Sequence, residues 1–136
     1  MNFIYRWRLL SKIVDAVSEQ FGSESADAIG RFKGLNGSAW VSFTKNLKLQ
    51  KLSEDFDLAI GLLWFSVNAP TTDRIGFQMK RACFITYCGI TNKLFYSDPK
   101  SWRENAAKKR AFNSAIEELD LPVDFEPTDK ELGMSQ

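Results

Sequence analysis

The chain contains no histidine among its 136 residues. Histidine is the usual general base at neutral pH and the commonest protein ligand of metal ions. Its absence excludes Ser-His-Asp and Cys-His catalytic sets, HExxH metalloprotease motifs and Cys2His2 zinc sites. We therefore expect a protein that is not an enzyme, that has no catalytic or metal-binding residues, and that needs no cofactor.

Cysteine is scarce as well, with only Cys83 and Cys88 in the chain. A separation of five residues places two side chains about 140° apart on a helix, or on opposite faces of a strand. Neither arrangement favours a disulfide between them. We expect both thiols to be reduced and buried, as is usual in the cytoplasm.

Long hydrophobic runs are also missing from the sequence. The longest apolar stretch, 58–67, is too short to cross a bilayer. Arg6, Arg8 and Lys12 interrupt the N-terminal stretch, which therefore lacks the apolar core of a signal peptide. These features predict a cytoplasmic protein that has no membrane partner.

Aromatic residues, by contrast, are plentiful: the chain has 11 phenylalanines and 4 tryptophans, with a net charge of only +1. Such rings supply the area of a hydrophobic core, and the length suits one domain. Seven acids and one lysine crowd the stretch 117–131. We therefore predict one helical domain over 1–122, followed by an acidic and mobile C-terminal tail over 123–136.

Apolar residues recur at helical spacing along most of the chain. The pattern predicts helices over 2–21, 23–33, 38–52, 53–68 and from 98 to about 119. The inward stripe of the first helix is expected to include Trp7, Leu10, Ile13 and Val17, and Ser23 is expected to cap the second helix. The fourth helix begins at Ser53, a favourable N-cap, and is apolar nearly all round. A helix of that kind belongs in the centre of a domain.

The segment 72–96 fits two different structures. Asp73 can cap a helix that carries Ile75 and Met79 inward and stops at Gly89. However, 83–87 is rich in β-forming residues and can pair with 94–96 as a hairpin. We favour the helix, so the predicted fold is mainly α: a single compact domain of five or six helices. An α+β fold with one short β-hairpin around 82–96 is the alternative.

The segment 26–46 carries the most specific local pattern. Gly30 supplies a small residue, Gly34 and Leu35 suit a turn, and Trp40 and Phe43 are apolar at a spacing of three. This pattern resembles the helix-turn-helix of phage Cro and repressor proteins. The resemblance implies that the DNA major groove or its phosphates contact Asn36, Ser38, Ser42, Lys45 and Asn46. Two ordinary packed helices joined by a glycine turn are the alternative.

Two charged stretches near the C-terminus are further candidate surfaces. A basic patch on the last helix, beside Trp102, can bind phosphates or simply face solvent; it consists of Lys100, Arg103, Lys108, Lys109 and Arg110. The acidic tail can engage a basic partner, fold over the protein's own basic surfaces, or remain solvated. Its candidate partner surface consists of Asp124, Glu126, Asp129 and Glu131.

Taken together, these patterns favour binding over catalysis. We expect a small non-enzymatic binding protein, a regulator or inhibitor that acts by binding another protein. In size and composition it is of the type carried by phages and mobile elements. The alternative is a DNA-binding transcriptional regulator that uses the helix-turn-helix-like segment at 26–46.

Overall fold

Six α-helices make up most of the residues described by the computed structural model, which are 3–32, 37–69, 73–96 and 102–121. These ranges contain no strand, which confirms the predicted mainly α fold. The helices form a single compact domain. They are α1 (Phe3–Phe21), α2 (Ser23–Gly30), α3 (Ser38–Leu49), α4 (Glu54–Asn68), α5 (Arg74–Tyr96) and α6 (Trp102–Glu118).

Helix α4 is the central element, as its all-round apolar pattern predicted. Every residue from Ala59 to Ser66 is buried. Its start is capped by Ser53, whose side chain accepts a hydrogen bond from the Phe56 N–H at 3.3 Å. This buried stretch must be covered on every side, and α1 and α5 are two of the helices that pack against α4.

Helix α3 is held against α4 by a cluster of aromatic rings. Trp40 lies 5.0 Å from Trp64 and 5.2 Å from Phe65, measured between ring centroids. Phe43 stacks on Trp64 at 5.6 Å, and Phe32, just beyond α2, meets both α4 rings edge-on. Rings at these separations attract one another beyond the gain from burial alone. Part of the aromatic supply of the sequence therefore goes into this contact.

A second group of rings joins α4, α5 and α6. The Phe112 ring lies 5.2 Å from Phe56 and 5.4 Å from Phe95, and Tyr87 stacks on it at 6.3 Å. Farther along α4, the Lys80 amino group donates to the Ser66 carbonyl near the C-terminal end of that helix. A cation is favourable at this position because the last carbonyls of a helix carry partial negative charge.

Helix α5 runs without interruption from Arg74 to Tyr96, so the alternative hairpin around 82–96 is wrong. The predicted stop at Gly89 is wrong as well. Buried residues follow the helical period through Met79, Cys83 and Thr86, and this packing outweighs the β-propensity of the segment. The Thr86 hydroxyl donates to the Ala82 carbonyl one turn back, which satisfies a buried polar group within the helix.

Several helix ends also differ from the expected ones. Helix α2 ends at Gly30 instead of near residue 33, and Ser23 is its first residue and not its cap. Gly22 adopts a positive φ of 86° after α1, as a glycine after a helix commonly does. The expected cap of α5 is confirmed, because Asp73 Oδ1 accepts from the Gly76 N–H at 2.6 Å.

The buried stripe of α1 keeps Leu10, Ile13 and Val17 of the one the sequence suggested but includes Leu9 in place of Trp7. Leu9, Ile13 and Val17 are almost fully buried, whereas Trp7, an expected member of the stripe, is 57% exposed. The inward face is set by the close approach to α4 at Gly61. A Cβ added to Gly61 would lie 2.8 Å from Ile13 Cδ1, nearer than side chains normally approach.

The remaining sequence expectations have mixed outcomes. Cys83 and Cys88 are both buried and are not joined by a disulfide, as predicted. No described helix is long and apolar enough to cross a membrane. The predicted start of the last helix at Asp98 and Pro99, and the tail over 123–136, lie outside the described residues.

The two helical glycines at positions 61 and 89 provide a test of the α1–α4 contact. Alanine favours a helix over glycine by about 0.5–1 kcal/mol. No described atom lies within 4 Å of the position of a Cβ at Gly89. We expect Gly89→Ala to raise the free energy of unfolding by about that amount, and Gly61→Ala to raise it less or to lower it. Urea melts measure both; an equal gain for the two variants would contradict a tight contact at Gly61.

Candidate protein-binding groove

A groove of about 540 Å³ lies between α2 and the first turns of α5. Its size is within the range typical of ligand sites in proteins. The residues lining it come from α2 and the turn after it, and from the N-terminal part of α5; they are Glu24, Ser25, Asp27, Ala28, Arg31, Phe32, Asp73, Ile75, Gly76, Gln78 and Met79.

The burial of α2 and the N-cap of α5 determine which side chains face the groove. Ala26 and Ile29 anchor α2 by their burial, and the side chains at 24, 27 and 31 therefore face outward. The Asp73 cap fixes where α5 begins, and this places Ile75 and Met79 one turn apart along the groove. The groove is thus built on two helices that are themselves held by the core.

The floor of the groove is apolar and its edge is charged. Met79 is buried, and Ala28 and Phe32 are half-buried. Ile75 is 65% exposed at the edge, although the sequence pattern had assigned it to the inward face of α5. Asp73 lies two residues before it and joins the acids of α2 among the lining residues. The groove can therefore bind an apolar group and a charged group side by side.

Sequence reasoning missed this groove because its two halves are about fifty residues apart. The available signal was the acidic outer face of α2, where Glu24 and Asp27 are three residues apart. The apolar pattern of α5 did not indicate a groove, since it assigned Ile75 to the inward face of the helix. Only the position of α2 beside α5 shows that Ile75 borders a groove.

Four of the five residues proposed to contact DNA lie on one exposed face of α3. Ser38, Ser42, Lys45 and Asn46 are all exposed, and their spacing places them within about 100° of one another. Asn36 lies outside the described residues. The structure therefore leaves this part of the predicted surface free for a partner.

The packing of this segment differs from the expected helix-turn-helix arrangement in one respect. In that arrangement the small residue, here Gly30, lies where two helices cross closely, but no described atom beyond its own stretch of helix lies within 4 Å of the position of its missing Cβ. The inward rings of α3, Trp40 and Phe43, contact Trp64 of α4. Helix α3 is thus positioned chiefly by α4.

The predicted basic patch is only partly described. Lys108, Lys109 and Arg110 are exposed on α6, while Lys100 and the Arg103 side chain lie outside the described part of the chain. The Lys109 amino group donates to the Tyr96 hydroxyl and lies 5.1 Å from the centre of that ring. The proposed acidic partner surface of Asp124, Glu126, Asp129 and Glu131 also lies outside the described residues.

A polar cluster that the sequence did not reveal joins α1 to the start of α4. The Tyr5 hydroxyl donates to Asp57 Oδ2 at 3.2 Å, while the other oxygen, Oδ1, is buried without a hydrogen-bond partner. Lys12 pairs with Glu54 at 2.7 Å. The Lys48 amino group of α3 lies 5.3 Å from the centre of the Tyr5 ring, where a cation is attracted to the π-system.

Burial controls the protonation of this cluster. Desolvation raises the pKa of Asp57 from 3.8 to about 6, although the Tyr5 hydroxyl opposes part of that shift. Burial, reinforced by the negative charge of Asp57, raises the pKa of Tyr5. The hydrogen bond from Lys12 lowers the pKa of Glu54. The described residues contain no group of three or more metal-ligating side chains. We therefore assign this cluster a structural role, which is to hold α1, α3 and α4 together.

The raised pKa of Asp57 predicts a pH-dependent stability. The folded state binds the proton more tightly than the unfolded state, so stability falls as pH rises from about 4 to about 6. Asp57→Asn should remove this fall. Because the Asp57 side chain is only half-buried and solvent screens it, we expect the free energy of unfolding of the wild type to fall by about 1 kcal/mol over this pH range. Tyr5→Phe should enlarge the fall in stability, because it removes the hydrogen bond that lowers the pKa of Asp57. Urea melts across this range measure it; parallel curves for wild type and Asp57→Asn would exclude the effect.

Known proteins do not indicate which of these surfaces is used. No family model, no curated protein and no solved structure matches this chain. The function is therefore inferred from the geometry and chemistry of the groove and of the exposed helix faces.

Proposed function

We propose that this protein is a small non-enzymatic binding protein that acts by binding another protein. It is of the regulator or inhibitor type, comparable in size and composition to those carried by phages and mobile elements. The observation that carries the proposal is the groove between α2 and α5, with its apolar floor and the exposed Ile75 at its edge.

An exposed aliphatic side chain beside an apolar groove favours a protein partner. Covering the exposed Ile75 and the half-buried Phe32 removes apolar surface from water, which is the main driving force of association. The groove is also held in shape before binding, because α2 and α5 are both anchored in the core. Such preorganisation reduces the entropy lost when a partner binds.

The non-enzymatic part of the proposal has separate support. Histidine is absent from the whole sequence, which removes the commonest general base. Within the described ranges, the carboxyl group whose pKa is raised to about 6 is that of Asp57, which lies in the α1–α4 cluster and not among the lining residues of the groove. Its hydrogen bond with Tyr5 contributes to helix packing.

Two exposed apolar residues of α5 provide a matched test. Ile75 lines the groove, whereas Phe77, which is 53% exposed on the same helix, does not. We expect Ile75→Ser to weaken binding of the cellular partner by about tenfold or more, as loss of a buried interface anchor does, and Phe77→Ser to leave it nearly unchanged. Affinity capture with tagged variants identifies the partner, and calorimetry with the purified partner measures the affinities. Equal binding by wild type and Ile75→Ser would refute the groove as the binding site.

DNA binding through α3 is the second candidate function, because Ser38, Ser42, Lys45 and Asn46 share one exposed face. This proposal predicts binding to duplex DNA that falls steeply as salt rises. Replacing Lys45 and Asn46 with alanine should weaken that binding and flatten its salt slope. The same change should shift stability by no more than about 0.5 kcal/mol, since both residues are exposed. Absence of duplex binding by the wild type at low salt would exclude this function.

A further inference from the structure

The charges around the groove are unbalanced in a way that restricts what can occupy it. Among the described residues that line it, three are acids, Glu24, Asp27 and Asp73, and one, Arg31, is basic. Within the described part of the chain, neither Glu24 nor Asp27 forms an ion pair, and both are exposed. A cationic group placed beside them gains attraction without first breaking an existing pair.

The same charges argue against two anionic occupants. The chain's own C-terminal stretch 117–131 carries seven acids and one lysine, so the groove acids repel it. A nucleic acid backbone is repelled for the same reason. The groove therefore favours a segment of another protein that is basic.

The apolar residues of the groove add a second requirement. Ala28 and Phe32 are four residues apart along α2 and its following turn, and Ile75 and Met79 are four apart on α5. That spacing places Ile75 and Met79 on one side of α5, and Ala28 and Phe32 both line the opposite wall. An aliphatic or aromatic anchor can pack between the two walls while a neighbouring cation meets the acids of α2.

From these charges and contacts we infer that the groove takes a basic amphipathic segment of the partner protein. One apolar side chain packs between Phe32, Ile75 and Met79, and a lysine or arginine of the same segment pairs with Glu24 and Asp27. This inference rests on the proposed function and specifies the partner's chemistry.

Two synthetic helical peptides of about 18 residues test the inference, since shorter helices form poorly in isolation. One carries leucine on its apolar face and lysine on its polar face, and the other replaces every lysine with glutamate. We expect the lysine peptide to bind the full chain at least about tenfold more tightly, with an affinity that falls as salt rises. Amide chemical shifts should locate its contacts on α2 and the start of α5.

Charge-neutralising variants of the chain show whether the acids of α2 carry that preference. Glu24→Gln combined with Asp27→Asn should weaken binding of the lysine peptide by about fivefold and flatten its salt dependence. Asp15→Asn combined with Glu19→Gln is the matched control, because it neutralises two exposed acids of α1 outside the groove. Equal binding by the two double variants would overturn the inference.

The outcome also separates this inference from the proposed function. If Ile75→Ser abolishes binding of the cellular partner while the lysine and glutamate peptides bind alike, the partner is not basic, and the groove is still the binding site. If Ile75→Ser leaves the partner bound, the proposed function at this groove fails, whichever peptide binds.

Discussion

The complete burial of the central part of α4, from Ala59 to Ser66, determines how the other helices are arranged. Most helices of small domains hide one stripe and leave the opposite face in water. In α4 the buried residues run without a break from Ala59 to Ser66, so no face of this stretch is available to solvent. Helix α1 can come close on one side because Gly61 has no side chain, and Ile13 fills the space that a Cβ would occupy. Helix α5 covers another side.

Aromatic rings cover the remaining sides of α4 and determine where α3 and α6 pack against it. Trp64 and Phe65 meet Trp40 of α3, while Phe56 at the other end of α4 meets Phe112 of α6. Large rings bury much area per residue, and this suits a short chain that must enclose a helix with a fully buried central stretch. We expect the stability effects of substitutions at neighbouring rings to be non-additive, since each ring contacts several others.

The candidate binding surface lies beside α2, a short helix that contributes few residues to the core. Helix α2 has eight residues and buries only Ala26 and Ile29. Beside the long α5 it leaves a groove instead of a close-packed seam, and Ile75 stays exposed at the edge. The polar cluster around Asp57 differs, because its groups pair with one another across α1 and α4. One polar region thus stabilises the fold, whereas the groove can accept a partner.

The sequence by itself determined the helical class, the caps at Ser53 and Asp73 and the central place of α4. These properties depend on local hydrogen bonding and on the spacing of apolar residues, which can be read along the chain. Only the tertiary structure decided that α5 continues through Gly89, that Trp7 and Ile75 are exposed, and that Tyr5 meets Asp57. Periodicity tells which residues can share a face of a helix. It does not tell which neighbour covers that face, because this depends on contacts between residues far apart in sequence.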